Sequence, residues 1–239
     1  MLPDRHLLAA ALARAGIDID PDTVPGAHYG AVRALDRAAG TERATRADYP
    51  RALFPQLGIV PGYAAQAADP WERLADLWER LADLWERLAD RRRSAVILWR
   101  EPTPGAAGAI TALRRAGIAI VIVTNSDGHA EENLAGCGFA GLPVIDSAVV
   151  GAAKPDPRIF HAALARAGVA PDQAVHVGDT LANDVAGARA AGITPIHFDP
   201  FRACRAADHR HIRALAGLWQ HVVAGPSPLW PRTRVVAPP

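Results

Sequence analysis

Two textures divide the chain. From residue 4 to about 93, apolar residues recur at helical spacing between Gly and Pro breaks. The pattern predicts helices over Asp4–Ala15, Gly26–Ala39, Arg46–Leu57 and Pro70–Arg93, with no strand among them. From residue 103, short apolar runs alternate with helices. Thr103-Pro104 offers an N-cap and a first-turn proline, and Gly117 ends that helix. "IAIVIVTN" (118–125) reads as a buried β-branched strand, followed by a helix over 129–136 and a weaker strand in "LPVIDSAVV". Asp156-Pro157 opens a helix that closes at Gly168. "QAVHVGD" (173–179) is another buried strand, and helix 182–191 leads into "ITPIHFD" (193–199). A short helix near 210–223 precedes a Pro-rich tail, 225–239, whose composition predicts disorder.

Strands alternating with helices of about ten residues predict a parallel sheet covered on both faces. The fold class is therefore α/β, with a Rossmann-like parallel-sheet core at 103–224 and an all-helical domain at 1–102.

The most conspicuous stretch is "WERLADLWERLADLWERLAD", Trp71 to Asp90, a seven-residue unit repeated without substitution. Seven residues at 100° each return to within about 20° of the same face. Trp71, Trp78 and Trp85 thus form one stripe flanked by Leu74, Leu81 and Leu88, while Asp76–Arg80 and Asp83–Arg87 are i,i+4 pairs. A coiled coil usually needs three to four heptads with aliphatic seam residues. This repeat is short and its seam is Trp, so packing within the helical block is the expected use. A Trp face left uncovered would favour a homodimer over a monomer.

Charge and composition narrow the partners. Lys+Arg 26 against Asp+Glu 25 gives a net charge of +1, which argues against a nucleic-acid face. The two cysteines, Cys137 and Cys204, fit a reducing cytoplasm better than a disulfide framework. No segment approaches the roughly 20 apolar residues of a membrane span. The opening "MLPDRHLLAAALARAG" has an acidic Asp4 and an early Arg14, so it reads as a helix ending at Gly16 and not as a signal peptide.

In a parallel α/β sheet, ligands sit at the carboxyl ends of the strands. There the chain places Thr124-Asn125-Ser126, then Gly178-Asp179-Thr180 with Asp184 five residues beyond Asp179. Lys154-Pro155 stands between them, just before a helix. Singly, these are a turn, a solvated lysine and a helix cap. Together, a hydroxyl, a fixed cation and two carboxylates suit a phosphoryl group with a divalent metal. Thr124 and Lys154 would serve catalysis and, with Asn125, substrate binding, while Asp179 and Asp184 would hold Mg²⁺. Asn183 is a further positioning candidate.

This trio resembles the haloacid dehalogenase-like (HAD) superfamily. "VIVTN" is similar to its motif II, "AKPDPRIF" to motif III and "AVHVGDTLANDV" to motif IV, over about Pro104 to Asp199. Only thirty positions separate Thr124 from Lys154, too few for a large cap there. The helical block resembles the family's other cap, placed between motifs I and II. The resemblance implies a nucleophilic Asp in a D-x-D-G-T sequence, forming an aspartyl-phosphate, with the second Asp as acid and base.

The 239 residues contain no D-x-D-G-T. Two stretches imitate it. Asp18–Thr23 follows a helix end, and Ala95–Thr103 has Trp99 and Glu101 where carboxylates belong. The opening segment resembles the loop and first cap helix that follow motif I. The expectation is a chain that opens just after that motif, through a start codon placed downstream or a true truncation, leaving a gap in the sheet's hydrogen-bonding ladder. The predicted function is a Mg²⁺-dependent phosphomonoesterase acting on a small phosphorylated molecule, inactive without its nucleophile. The alternative is a non-catalytic relative binding a phosphorylated ligand, or a protein through the Trp helix. A dehalogenase fits less well, because a lysine and paired carboxylates suit phosphate better than halide.

Overall fold

The structure, a computed structural model, describes residues 1–14, 16–38, 48–59 and 98–222. The predicted helix Pro70–Arg93 with its Trp repeat and the tail 225–239 lie outside these residues. The chain divides into two compact units, Met1–Glu101 and Pro102–Pro239.

In the first unit, the Asp4 carboxylate accepts from the backbone N–H of His6 and Leu7 and so caps helix α1, Arg5–Arg14. Its apolar stripe, Leu8, Ala11 and Leu12, is buried. Asp20 caps a single turn at Pro21–Thr23, so the acidic run at 18–23 serves as a helix start. Helices α2 (Val24–Ala38) and α3 (Asp48–Gln56) follow. They pack closely at Gly30, where a Cβ would stand 2.5 Å from Gln56 Oε1. Leu8, Leu12, Val24, Leu53, Phe54 and Leu98 form the core.

This unit is not all-helical. Strand β1, Leu2–Pro3, pairs antiparallel with β2, Trp99–Glu101. Trp99 packs against His28 and Tyr49, with ring centroids 5.6 and 5.1 Å away, and His28 Nδ1 lies 2.6 Å from the Tyr49 hydroxyl. Arg5 joins Glu101 at 2.6 Å and Asp22 at 2.9 Å. The motif-like residues Trp99 and Glu101 are thereby committed to the packing of the first unit.

The second unit holds the parallel strands. Helix α4 (Ala106–Arg115) leads to β3 (Ile122–Thr124), which pairs in parallel with β4 (Val144–Asp146). Helices α5 (Ala130–Leu134) and α6 (Ser147–Val150) flank β4 in sequence. Helix α7 (Pro157–Ala167) is capped by Asp156 and closed by Gly168 at φ 69°. Next, β5 (Val175–Gly178) pairs in parallel with β6 (Thr194–Phe198), and β6 with β7 (Arg210–Ile212). A wide π-type turn, Leu181–Ala186, and α8 (Gly187–Ala190) connect β5 to β6, and α9 (Leu218–Val222) follows β7.

One core serves both sheets. Ile159, Phe160 and Leu164 of α7 pack with Ala188 and Ile193, and Val123 of β3 and Ile145 of β4 lie against the same cluster. Gly187 permits this, since a Cβ there would stand 2.8 Å from the Phe160 ring.

Two further expectations need correction. Residues 210–212 form a strand and not the start of a helix, because Arg210–Ile212 finds a ladder partner in Ile196–Phe198. The strands at 122–124 and 175–178 are half-buried, not buried. The reason lies in the topology. Among the described residues β3 pairs only with β4, and β5 only with β6, so each keeps one edge without a ladder partner. No described helix is long and apolar enough to cross a membrane.

Phe160 is 1% exposed. Replacing it with Ala should cost about 3–5 kcal/mol in urea unfolding of the full chain. Val149→Ala, at 73% exposure, should stay within about 0.5 kcal/mol.

Candidate active site

The site grows from the end of β5. Side chains alternate along a strand, so His176 and Gly178 share a face. His176 sets its ring edge-on to Phe160, centroids 5.0 Å apart, and brings Nε2 to 2.9 Å from Asp184 Oδ1. Thr180 caps the wide turn. Its hydroxyl accepts from Asp184 N–H at 3.1 Å and donates to Asp184 Oδ2 at 2.6 Å, while its own N–H donates to Oδ2 at 3.0 Å. Asp184 thus folds back over the strand end. A Cβ at Gly178 would sit 2.2 Å from the Asp184 carboxyl carbon, so only glycine fits there.

Lys154 arrives from the loop before α7, where the Lys154-Pro155 peptide is cis. Its Nζ lies 2.6 Å from Asp184 Oδ1, with the two side chains 14% and 3% exposed. Asn125, just past β3, holds the Lys154 backbone from both sides. Lys154 N–H donates to Asn125 Oδ1 at 2.7 Å, and Asn125 Nδ2 donates to the Lys154 carbonyl at 3.0 Å. Asp146 at the end of β4 orders the neighbouring loop, accepting from the N–H groups of Gly128, Ala130 and Ala148. The Ser147 hydroxyl accepts from Ser126 N–H and donates to the Ser126 carbonyl.

Burial by itself pushes the Asp184 carboxyl upward. Lys154 and His176 outweigh it and hold the group well below the usual carboxylate range. Its four donors occupy the roughly four lone-pair positions a carboxylate has.

Of the residues picked from sequence, Asn125, Lys154 and Asp184 are joined by direct hydrogen bonds. Thr124 ends β3, one residue before Asn125. Asp179 follows β5, and its carbonyl oxygen lies 3.2 Å from His197 Nε2. Asn183 is half-buried in the wide turn. Sequence reasoning missed His176 and Asp146, and it named Thr180 at the strand end without giving it a role. For Thr180 a signal existed: a hydroxyl residue four positions before Asp184, at a helix start. His176 inside an apolar strand reads as a core residue and carries no such signal.

A haloacid dehalogenase-like hydrolase family model matches residues 3–192. The chain belongs to this family. The phosphoserine phosphatase of Thermus thermophilus is 41% identical over 99 residues, 40% of each chain. The phosphoglycolate phosphatase of Rhodospirillum rubrum is 40% identical over 93 residues, 38% of each. The match to these relatives therefore spans about two-fifths of their length. In fold, the HAD-hydrolase YfnB of Bacillus subtilis, solved bound to magnesium, superposes with a TM-score of 0.61 at 19% identity, covering 92% of this chain and 93% of YfnB. The helix-rich α/β architecture with parallel strands agrees with this HAD neighbour.

Because Asp184 is depressed in the folded state, its contribution to stability is present above its unfolded value near pH 4 and is lost as pH falls through the lower folded value. Asp184→Asn leaves Lys154 unpaired and should destabilise the chain by about 3–5 kcal/mol at pH 7. That difference from the parent should shrink below about pH 4, as read by urea unfolding across pH 7 to 2. A difference independent of pH would contradict the assignment.

Proposed function

We propose that this HAD-family chain carries the phosphoryl-binding and metal-binding side of a phosphomonoester phosphatase. The observation that carries the reading is the Lys154–Asp184 pair, 2.6 Å apart and tied through Asn125 to the end of β3. Thr124 ends β3 and Asp179 follows β5, so a hydroxyl residue and a second carboxylate residue stand at strand ends with the pair, the place where an α/β sheet binds ligands. In this reading Thr124 donates to a phosphoryl oxygen. The Lys154 ammonium faces the charge that develops there, and Asn125 keeps it in place. Phosphatase relatives named for phosphoserine and phosphoglycolate make a small phosphorylated molecule the proposed substrate class.

Hard carboxylate oxygens fit Mg²⁺. Asp179 offers such a group at the strand end, and Asp184 joins it by exchanging one of its four donors. When bound, the ion supplies positive charge against the phosphoryl oxygens. The first unit takes the part of the family's cap by its place in the sequence.

The nucleophile has no counterpart in the sequence, which holds no D-x-D-G-T. Among the described residues β3 and β5 each keep one edge without a ladder partner, which supports a strand seated between them, ending in an aspartate beside Thr124 and Asp179. An attacking aspartate oxygen would bond to phosphorus, the ester oxygen would leave with a proton, and water would then release phosphate. The 239-residue chain is expected to be silent toward an aryl phosphate with Mg²⁺. A form extended upstream by a D-x-D-G-T strand should turn over, and Asp179→Asn in that form should lose on the order of 10²-fold or more. Turnover by the unextended chain would overturn the account of the nucleophile. Silence in both forms would favour a non-catalytic phosphate-binding protein.

A further inference from the structure

The loop between β6 and β7 carries a cluster that the phosphatase reading leaves unused. His197 on β6, Cys204 in the loop, and His209 and His211 at β7 each bring one ligand atom within 4.8 Å of the others. The ladder itself pairs His197 with His211, their ring centroids 5.3 Å apart. His209 Nε2 lies 3.3 Å from His197 Nδ1 and 3.7 Å from Cys204 Sγ. A tetrahedral ion with Zn–N of about 2.0–2.1 Å and Zn–S of about 2.3 Å holds nitrogens roughly 3.3 Å apart, and nitrogen from sulfur roughly 3.6 Å.

The hydrogen bonds around the cluster agree. His209 Nδ1 lies 2.7 Å from Asp208 Oδ1, and His197 Nε2 lies 3.2 Å from the Asp179 carbonyl oxygen. Both oxygens only accept, so each of these nitrogens carries a proton and its opposite nitrogen turns a lone pair into the cluster. Two such lone pairs 3.3 Å apart are met either by a proton on one ring or by a metal ion that both bind. Among the described residues, His211 Nε2 is the buried side-chain atom without a hydrogen-bond partner. Left unmet, such a group costs about 1–3 kcal/mol. Asp199, 8% exposed, accepts from the N–H of Ala203 and Cys204, both at 2.9 Å, and shapes the loop that carries the thiol. Arg189 holds Asp208 at 2.7 Å.

We propose that His197, Cys204, His209 and His211 form a four-ligand Zn²⁺ site that clips the 199–209 loop to β6 and β7. Three imidazoles and one thiolate at tetrahedral spacing suit zinc over hard ions. Four protein ligands leave no open position for water, so the site is structural. Asp199 and Asp208 offset the charge left after one thiolate meets a divalent ion.

The test uses the full chain purified from zinc-supplemented culture and dialysed against metal-free buffer. Elemental analysis should find about one zinc per chain. Exchange with Co²⁺ should give intense tetrahedral visible bands and a thiolate charge-transfer band that Cys204→Ser abolishes. Asp208→Asn keeps all four ligands, and should weaken zinc about 10–100-fold against a chromophoric chelator, with an unchanged far-UV circular dichroism spectrum. Zinc lost on dialysis, or a cobalt spectrum indifferent to Cys204→Ser, would overturn the proposal. If Cys204→Ser fails to fold, an unchanged zinc affinity in Asp208→Asn would overturn it instead.

Discussion

The polar chain that ties the end of β5 to the end of β3 depends on one buried carboxylate. Asp184, 2% exposed, receives Lys154, His176 and two donors from Thr180. A charge this deep costs several kcal/mol unless it is paired. Lys154 therefore needs Asp184 as much as Asp184 needs Lys154. Because Asn125 grips the backbone of that lysine, the constraint reaches from the end of β5 to the end of β3. Gly178 yields its side-chain space so that the carboxylate can lie over the strand.

That reach matters because β3 and β5 share no ladder among the described residues. Two forces hold the pieces in register instead. One is apolar: α7 lays Ile159, Phe160 and Leu164 in a core that also takes Val123 and Ile145. The other is the polar chain Asn125–Lys154–Asp184, which fixes the geometry at the strand ends. A core alone tolerates sliding, whereas short charge-assisted hydrogen bonds do not. Asn125, Lys154 and Asp184 are in this sense pre-positioned by the same contacts that join the end of β3 to the end of β5.

Much of this was legible in the sequence, and the misses have physical causes. The β-branched run at 118–125 and the "VHVG" segment gave strong strand signals, and Asp156-Pro157 with Gly168 framed α7 almost to the residue. The turn residues Asn125, Lys154 and Asp184 were legible because their positions at strand ends are informative. Strand β1 is two residues long and β7 three, so neither has a period to read, and each exists only through its long-range partner. The half-burial of β3 and β5 reflects neighbours in space, which no local pattern reports. His197, Cys204, His209 and His211 escaped for a similar reason, since their spacing is irregular and the β6–β7 ladder brings them together.

The central claim is that Lys154 and Asp184 act as a unit, and a double-mutant cycle tests it most directly. Urea unfolding of the parent chain, Lys154→Met, Asp184→Asn and the double variant yields their coupling energy. The account predicts a coupling of about 1–3 kcal/mol, with the double variant less destabilised than the sum of the single variants. Additivity within about 0.5 kcal/mol would mean that the two groups stand near each other without depending on each other, and would contradict it.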